Sequence, residues 1–169
     1  MRFLIIFIFL MSNSYANEGA DLKNLIINKE LKKYDDLTFL DAKKNQINLN
    51  DFQGNLIILN FWATWCAPCK EEMPSLDLLQ ENKVLDNLKI FPINVGQENV
   101  EKASNFFSNL EIKNLDLYFD TPITLAKTFG LRGIPTTILF NKDGLEFARI
   151  VGSINFQNKD FIEWLSKFN

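Results

Sequence analysis

The sequence predicts an α/β fold in which a central mixed β-sheet is flanked by helices, and three observations predict it. The run Leu56 to Phe61 is apolar apart from Asn60, the mark of a strand buried on both faces. A helical stretch follows directly, opened by Cys66-Ala67-Pro68-Cys69 and carrying Met73, Leu76 and Leu79 on one side. The alternation then repeats, with Leu88 to Val95 as strand and Val100, Ala103, Phe106, Phe107 and Leu110 as an amphipathic helix. Strand, helix, strand, helix in this order reads as a parallel βαβ arrangement.

The remaining elements fall around that unit. Met1 and Arg2 give a short positive start, Phe3 to Met11 an apolar run too short to span a bilayer, and Ser14-Tyr15-Ala16 a small-x-small cleavage site. Residues 1–16 therefore read as a secretory signal peptide cut after Ala16, with an uncleaved membrane anchor as the alternative; either reading puts the bulk of the chain outside the cytoplasm. Residues 17–35 read as a linker or a loosely docked helix, because Leu22, Leu25 and Ile26 stand at helical spacing in a polar stretch without a companion apolar run. One domain is expected over residues 36–169. It starts with a small hairpin, Thr38 to Leu40 against Gln46 to Leu49, ahead of the main sheet, and Asp51-Phe52-Gln53-Gly54 then turns the chain.

Pro74 falls inside the helix after the cysteines and should bend it by removing a backbone donor. A short helix through Leu125, Ala126 and Phe129 stops at Gly130, and Pro135 introduces a strand from Thr136 to Phe140. Asp143-Gly144 turns that strand back as Phe147 to Val151, after which Phe161, Ile162, Trp164, Leu165 and Phe168 line one face of a closing helix.

Composition narrows the chemistry. With 169 residues, 47% of them hydrophobic, the chain can bury a core of its own. A net charge of -3 offers no broad basic surface, which sets nucleic-acid binding aside. The absence of histidine removes Ser-His and Cys-His pairs and His-ligated metals, and two cysteines alone cannot complete a four-thiolate metal site. Neither a metal nor an organic cofactor is implied.

The two cysteines carry the functional signal. Two residues apart at a helix start, they put the first sulfur beside unpaired backbone donors and the positive end of the helix dipole, where a thiolate is favoured. Thiolate is the attacking species in disulfide exchange, so Cys66 reads as the nucleophile and Cys69, one turn deeper, as the resolving thiol. A structural disulfide is the bland alternative, and closing so short a loop gives it the smallest entropic gain. Peroxidase chemistry fits poorly with a Trp-rich turn that lacks a proline before Cys66. Trp62 and Trp65 flank the turn, one expected beneath it and the other as a flat exposed surface beside the sulfur. Gly133-Ile134-Pro135-Thr136 is a second candidate contact; a cis Ile134-Pro135 bond is not to be expected from base frequencies alone.

The segment Asn60-Phe61-Trp62-Ala63-Thr64-Trp65-Cys66-Ala67-Pro68-Cys69-Lys70-Glu71-Glu72-Met73-Pro74 resembles the active-site segment of the TlpA-type thioredoxins. The resemblance extends from about Thr38 to Phe168 and includes Gly133-Ile134-Pro135-Thr136-Thr137 in the proline-loop position. It implies a thioredoxin-like fold with a leading hairpin and an inserted βα unit around Asn94 to Leu110, and a cis Pro135. It also implies that the backbone of Ile134 pairs with a substrate strand, in strand addition on a small scale. Trp65, Ala67, Pro68, Ile134 and Pro135 are the client contacts expected on this basis.

One departure matters. Cytoplasmic thioredoxins carry a buried Asp where this chain has Asn60, which cannot titrate. Some relatives instead place an acid after the strand ending near Val95, where Gln97-Glu98 falls, so Glu98 is the expected base; a solvated first-turn Glu is the competing reading. Glu71 and Glu72 read as solvated helix acids, and Lys70 as a surface lysine. The resemblance favours a reductase, recharged by a membrane electron-donor thiol carrier, that acts on disulfide-containing client proteins of copper-site or cytochrome c assembly; the signal-like N-terminus places it in the periplasm, and a monomer is expected. A non-catalytic binding module and a net disulfide oxidase are the other readings.

Overall fold

Strand β4 (Leu56–Trp62) runs through the middle of the sheet with all seven residues buried. Its side chains alternate between two cores, as a strand's period of two requires. Leu56, Ile58 and Trp62 enter one cluster, and Ile57, Leu59 and Phe61 the other. A strand so placed has no solvent face, which is why its sequence does not alternate.

A computed structural model describes residues 23–169. The signal-peptide segment and the first part of the expected linker lie outside the described residues. In chain order the other strands are β1 (Leu25–Lys32), β2 (Thr38–Asp41), β3 (Gln46–Asn48), β5 (Leu88–Asn94), β6 (Tyr118–Phe119), β7 (Thr136–Phe140) and β8 (Glu146–Val151). The helices are α1 (Ala67–Gln80), α2 (Val100–Asn109), α3 (Leu125–Thr128) and α4 (Lys159–Ser166). The sheet order is β1-β8-β7-β4-β5-β6-β2-β3. β4 is parallel to β5 and antiparallel to β7, so the sheet is mixed, as predicted.

Met73, Leu76 and Leu79 of α1, Phe106 and Phe107 of α2, and Phe161 and Leu165 of α4 fill the cluster on one face. Phe39, Phe91, Leu125, Phe129 and Phe140 fill the other. The caps are local: Asn99 accepts from Lys102 N–H at 2.8 Å to start α2, and Asn158 accepts from Asp160 N–H at 2.9 Å to start α4. α1 continues through Pro74, which sits on its exposed side.

Two expectations are corrected. The described part of the 17–35 segment is not simply a linker or a helix: Leu25–Lys32 is edge strand β1, antiparallel to β8 with Leu25 opposite Ile150. Leu25 and Ile27 pack on the core while Ile26 faces solvent, a period of two too short to stand out in a polar stretch, and polar contacts extend the attachment. Asn28 donates to the Glu146 carboxylate at 3.0 Å, and the Tyr34 hydroxyl donates to it at 2.6 Å. Glu146 is wholly buried and pairs with Arg149 at 2.6 Å. The second correction concerns the leading hairpin. It does not stand ahead of the sheet but extends it, because the two-residue strand β6, absent from the sequence reading, bridges β5 and β2.

Candidate active site

β4 ends at Trp62, and four residues later Cys66 is the N-cap of α1. Its Sγ accepts from the Cys69 backbone N–H at 3.3 Å, and the Cys66 carbonyl accepts from Lys70 N–H at 3.2 Å. Pro68 occupies the first turn, where a missing donor costs no helical hydrogen bond. Cys66 and Cys69 are joined as a disulfide. Cys66 keeps 5% of its surface exposed and Cys69 none, so the first cysteine reaches solvent and the second does not.

The two tryptophans divide as the sequence suggested. Trp62 is fully buried and stacked on Phe106 and Phe107 at 4.8 and 5.3 Å, whereas Trp65 is 67% exposed. Ala67 and Pro68 are exposed as well. The Ile134-Pro135 bond is cis. The β4–β7 register sets Thr136 opposite Phe61, which brings Pro135 to the sheet end where the cysteine turn begins. Gly152 N–H donates to the Pro135 carbonyl at 2.9 Å, and Ile134 packs on the cluster that contains both cysteines.

Glu98 is brought to this turn as a carboxylate with every oxygen partnered. Its Oε2 accepts from Thr64 N–H and from Asn94 Nδ2, each at 2.9 Å, and its Oε1 meets the Thr64 hydroxyl and pairs with Lys102 at 2.7 Å. Burial alone would raise its pKa. The Lys102, Thr64 and Asn94 hydrogen bonds overcome burial and lower it to about 2. Such a carboxylate stays ionised at neutral pH and is a weak proton acceptor. Gly96 makes the approach possible: a Cβ there would lie 2.9 Å from Glu98 Cδ and 3.0 Å from Ala63 Cβ. Gln97, the neighbouring alternative, is exposed.

The acid that the sequence reading passed over is Glu72. It lies three residues after Cys69, on the same buried face of α1, and is 2% exposed. Asn60 Nδ2 donates to its Oε1 at 2.8 Å and Ile154 N–H to its Oε2 at 3.3 Å. Desolvation outweighs both bonds and raises its pKa to about 7. An open cleft of about 580 Å³, bordered by Glu71, Glu72, Ser75, Ser153 and Ile154, leads solvent toward this carboxyl. The signal was available in the spacing, since residues at i and i+3 share a helix face and Cys69 is buried.

The AhpC/TSA family model matches residues 29–145. The chain belongs to that family. Within it, the thiol-disulfide oxidoreductase ResA of Bacillus thuringiensis subsp. konkukian (strain 97-27) is 34% identical over 131 residues, covering 75% of this chain and 69% of the relative. Solved structures share the fold, two of them as follows. A secreted thiol-disulfide isomerase from Corynebacterium glutamicum has a TM-score of 0.71 and 24% identity, covering 87% of this chain and 95% of that one. The exposed lipoprotein thioredoxin Etrx1 of Streptococcus pneumoniae strain TIGR4 has a TM-score of 0.61 and 25% identity, covering 78% and 98%. This member of the family is thus a thioredoxin-like thiol-disulfide oxidoreductase, with its cysteine pair at the mouth of α1.

Proposed function

We propose that the protein is an exported reductase of disulfides in client proteins, with Cys66 as nucleophile and Cys69 as resolving thiol. The observation that carries this reading is the Cys69 N–H donated to Cys66 Sγ at the N-cap of α1, which favours negative charge on that sulfur once the disulfide is reduced. The Cys66 thiolate attacks one sulfur of a client disulfide, forming a mixed disulfide and releasing the other client sulfur as thiolate. Cys69 then gives its proton to ionised Glu72 and attacks Cys66 Sγ, which restores the Cys66–Cys69 disulfide and frees the client as a dithiol. Glu72 suits that task better than Glu98, because a pKa near 7 keeps both protonation states populated at neutral pH. Exposed Trp65, Ala67 and Pro68, with the Ile134-Pro135 backbone, form the client contact surface.

The electrons come from a membrane thiol carrier, and the clients are copper-site or cytochrome c assembly proteins in the periplasm. Support for export and for this direction comes from the signal-like first 16 residues and the TlpA-type active-site segment. Among the described residues no helix is long and apolar enough to cross a membrane. Replacing Cys69 by Ser in cells should leave client proteins trapped on Cys66, and their identity separates the two assembly routes. A binding module would capture the same partners after Cys66→Ser, and a net oxidase would show a reduction potential near those of strong periplasmic oxidants. Either result overturns the reductase reading.

A further inference from the structure

Asn60 is completely buried, and only half of its side-chain amide is satisfied. Nδ2 donates to Glu72 Oε1 at 2.8 Å and to Thr137 Oγ1 at 2.9 Å, while Oδ1 has no hydrogen-bond partner among the described residues. An orphaned acceptor at a fully buried site calls for an explanation. This arrangement suits one protonation state of Glu72 only. The carboxylate has two acceptor oxygens, one met by Asn60 and the other by Ile154 N–H.

A proton on Glu72 goes to Oε1, because Oε2 already faces the fixed backbone donor of Ile154. The new O–H would then oppose the Nδ2 hydrogen directed at Glu72, the other being donated to Thr137. A half-turn of the amide removes that conflict, presenting Oδ1 to the Glu72 O–H and moving Nδ2 to the position where Oδ1 had no partner. Thr137 tolerates the exchange, since a hydroxyl accepts from Nδ2 in one orientation and donates to Oδ1 in the other. We propose that the Asn60 amide turns over when Glu72 gains or loses its proton, so that Asn60 is a positioning residue that passes the state of Glu72 from α1 to β7.

The pairing of Asn60 with Thr137 across β4 and β7 holds the receiving end of this relay two residues from Pro135. A proton arriving on Glu72 from solvent therefore reverses the Thr137 hydroxyl beside the client-facing loop. Ile154 from the loop after β8 and Asn60 from β4 meet the carboxyl, with Thr137 of β7 behind Asn60, and none of these ionises. The titratable neighbours are on its own helix: Glu71 at the border of the same cleft, and Cys66 and Cys69 once reduced. Holding the protein in its disulfide form leaves Glu71 and Glu72 as the groups to follow. The turn goes beyond the role proposed above for Glu72 and does not depend on it, because it can be read without turnover.

The experiment is NMR on the oxidised full chain, following the Asn60 side-chain amide and the Glu72 carboxyl carbon from pH 5 to 9. Above the Glu72 midpoint, the Nδ2 protons should give a nuclear Overhauser contact to the Thr137 side chain; below it, that contact should disappear. Glu72→Gln serves as the second arm. Its amide oxygen is held by Ile154 N–H and its NH2 faces Asn60, so the contact should be absent at every pH. An amide that keeps its contact with Thr137 while the Glu72 carbon titrates overturns the proposal, and so does a contact present throughout in Glu72→Gln. Should that variant fail to fold, the titration of the unaltered chain decides alone.

Discussion

The carboxylate of Glu98 accepts the backbone N–H of Thr64 at 2.9 Å and so ties the start of α2 to the turn that carries Cys66. Replacing Glu98 by Gln should lower stability by about 1.5 kcal/mol, the low end for hydrogen bonds to a charged group. The sign of its pH dependence follows from a folded-state pKa lowered from 4.5 to about 2. The stabilisation is present above pH 4.5 and lost as pH falls through 2. Urea midpoints of the two proteins should differ at pH 7, draw together below pH 4.5 and converge as pH falls through 2. A variant that instead abolishes exchange while its urea midpoint stays put would return Glu98 to a part in the chemistry.

Glu72 has the opposite sign. Its folded-state pKa is raised from 4.5 to about 7, so its contribution to stability is intact below pH 4.5 and is lost as pH rises through 7. Glu72→Gln should therefore be more stable than the parent at pH 8, by up to about 3 kcal/mol, and equal to it at pH 4. The same variant should lose an inflection near pH 7 in the rate of mixed-disulfide resolution. Parallel unfolding curves from pH 4 to 9 would show that the carboxyl is not desolvated.

Trp65 is 67% exposed beside Cys66 and contributes little to the core. Trp65→Ala should leave the melting temperature within about 1 °C, since surface changes away from special features have small effects. Its kcat/KM toward a protein disulfide should drop about tenfold, or roughly 1.4 kcal/mol of aromatic contact, while reduction of a small-molecule disulfide is unchanged. Equal losses on both substrates would argue that the ring shapes the sulfur site and not the client contact.

Arg149 holds buried Glu146 through Nε at 2.6 Å and Nη2 at 2.9 Å. Arg149→Ala leaves that charge with only Tyr34, Asn28 and the more distant Lys32, and should cost about 3–5 kcal/mol in chemical unfolding. The double change Glu146→Gln with Arg149→Met should recover most of the loss. If the double variant is as unstable as the single one, the contacts of the guanidinium with Phe129, over its ring at 5.8 Å and to its carbonyl at 2.7 Å, are the larger effect.

What the sequence made legible was what period and spacing encode. β4, β5, β7, β8 and the helices following the cysteines and Val95 stand within a residue or two of their expected places, because each carries an apolar face. Trp62 and Trp65 separated into buried and exposed as their positions in the turn suggested. β1 escaped because its inward apolar residues are only Leu25 and Ile27, and the rest of its attachment is polar and long-range, through Asn28 and Glu146, 118 residues apart. β6 escaped because two residues are too few to show a period. The environments of Glu98 and Glu72 were not legible for one reason: charge type can be read from a letter, but burial cannot, and here burial raises one carboxyl to about 7 while hydrogen-bond partners lower the other to about 2.

The docking of β1 has a practical side. A chain begun at residue 36 would lose both the strand that hydrogen-bonds the outer margin of β8 and the Tyr34 hydroxyl that reaches Glu146. It would present a row of unsatisfied amides and carbonyls to any neighbour able to pair with them, and self-association would follow from a cut that looks, on paper, like the removal of a tail.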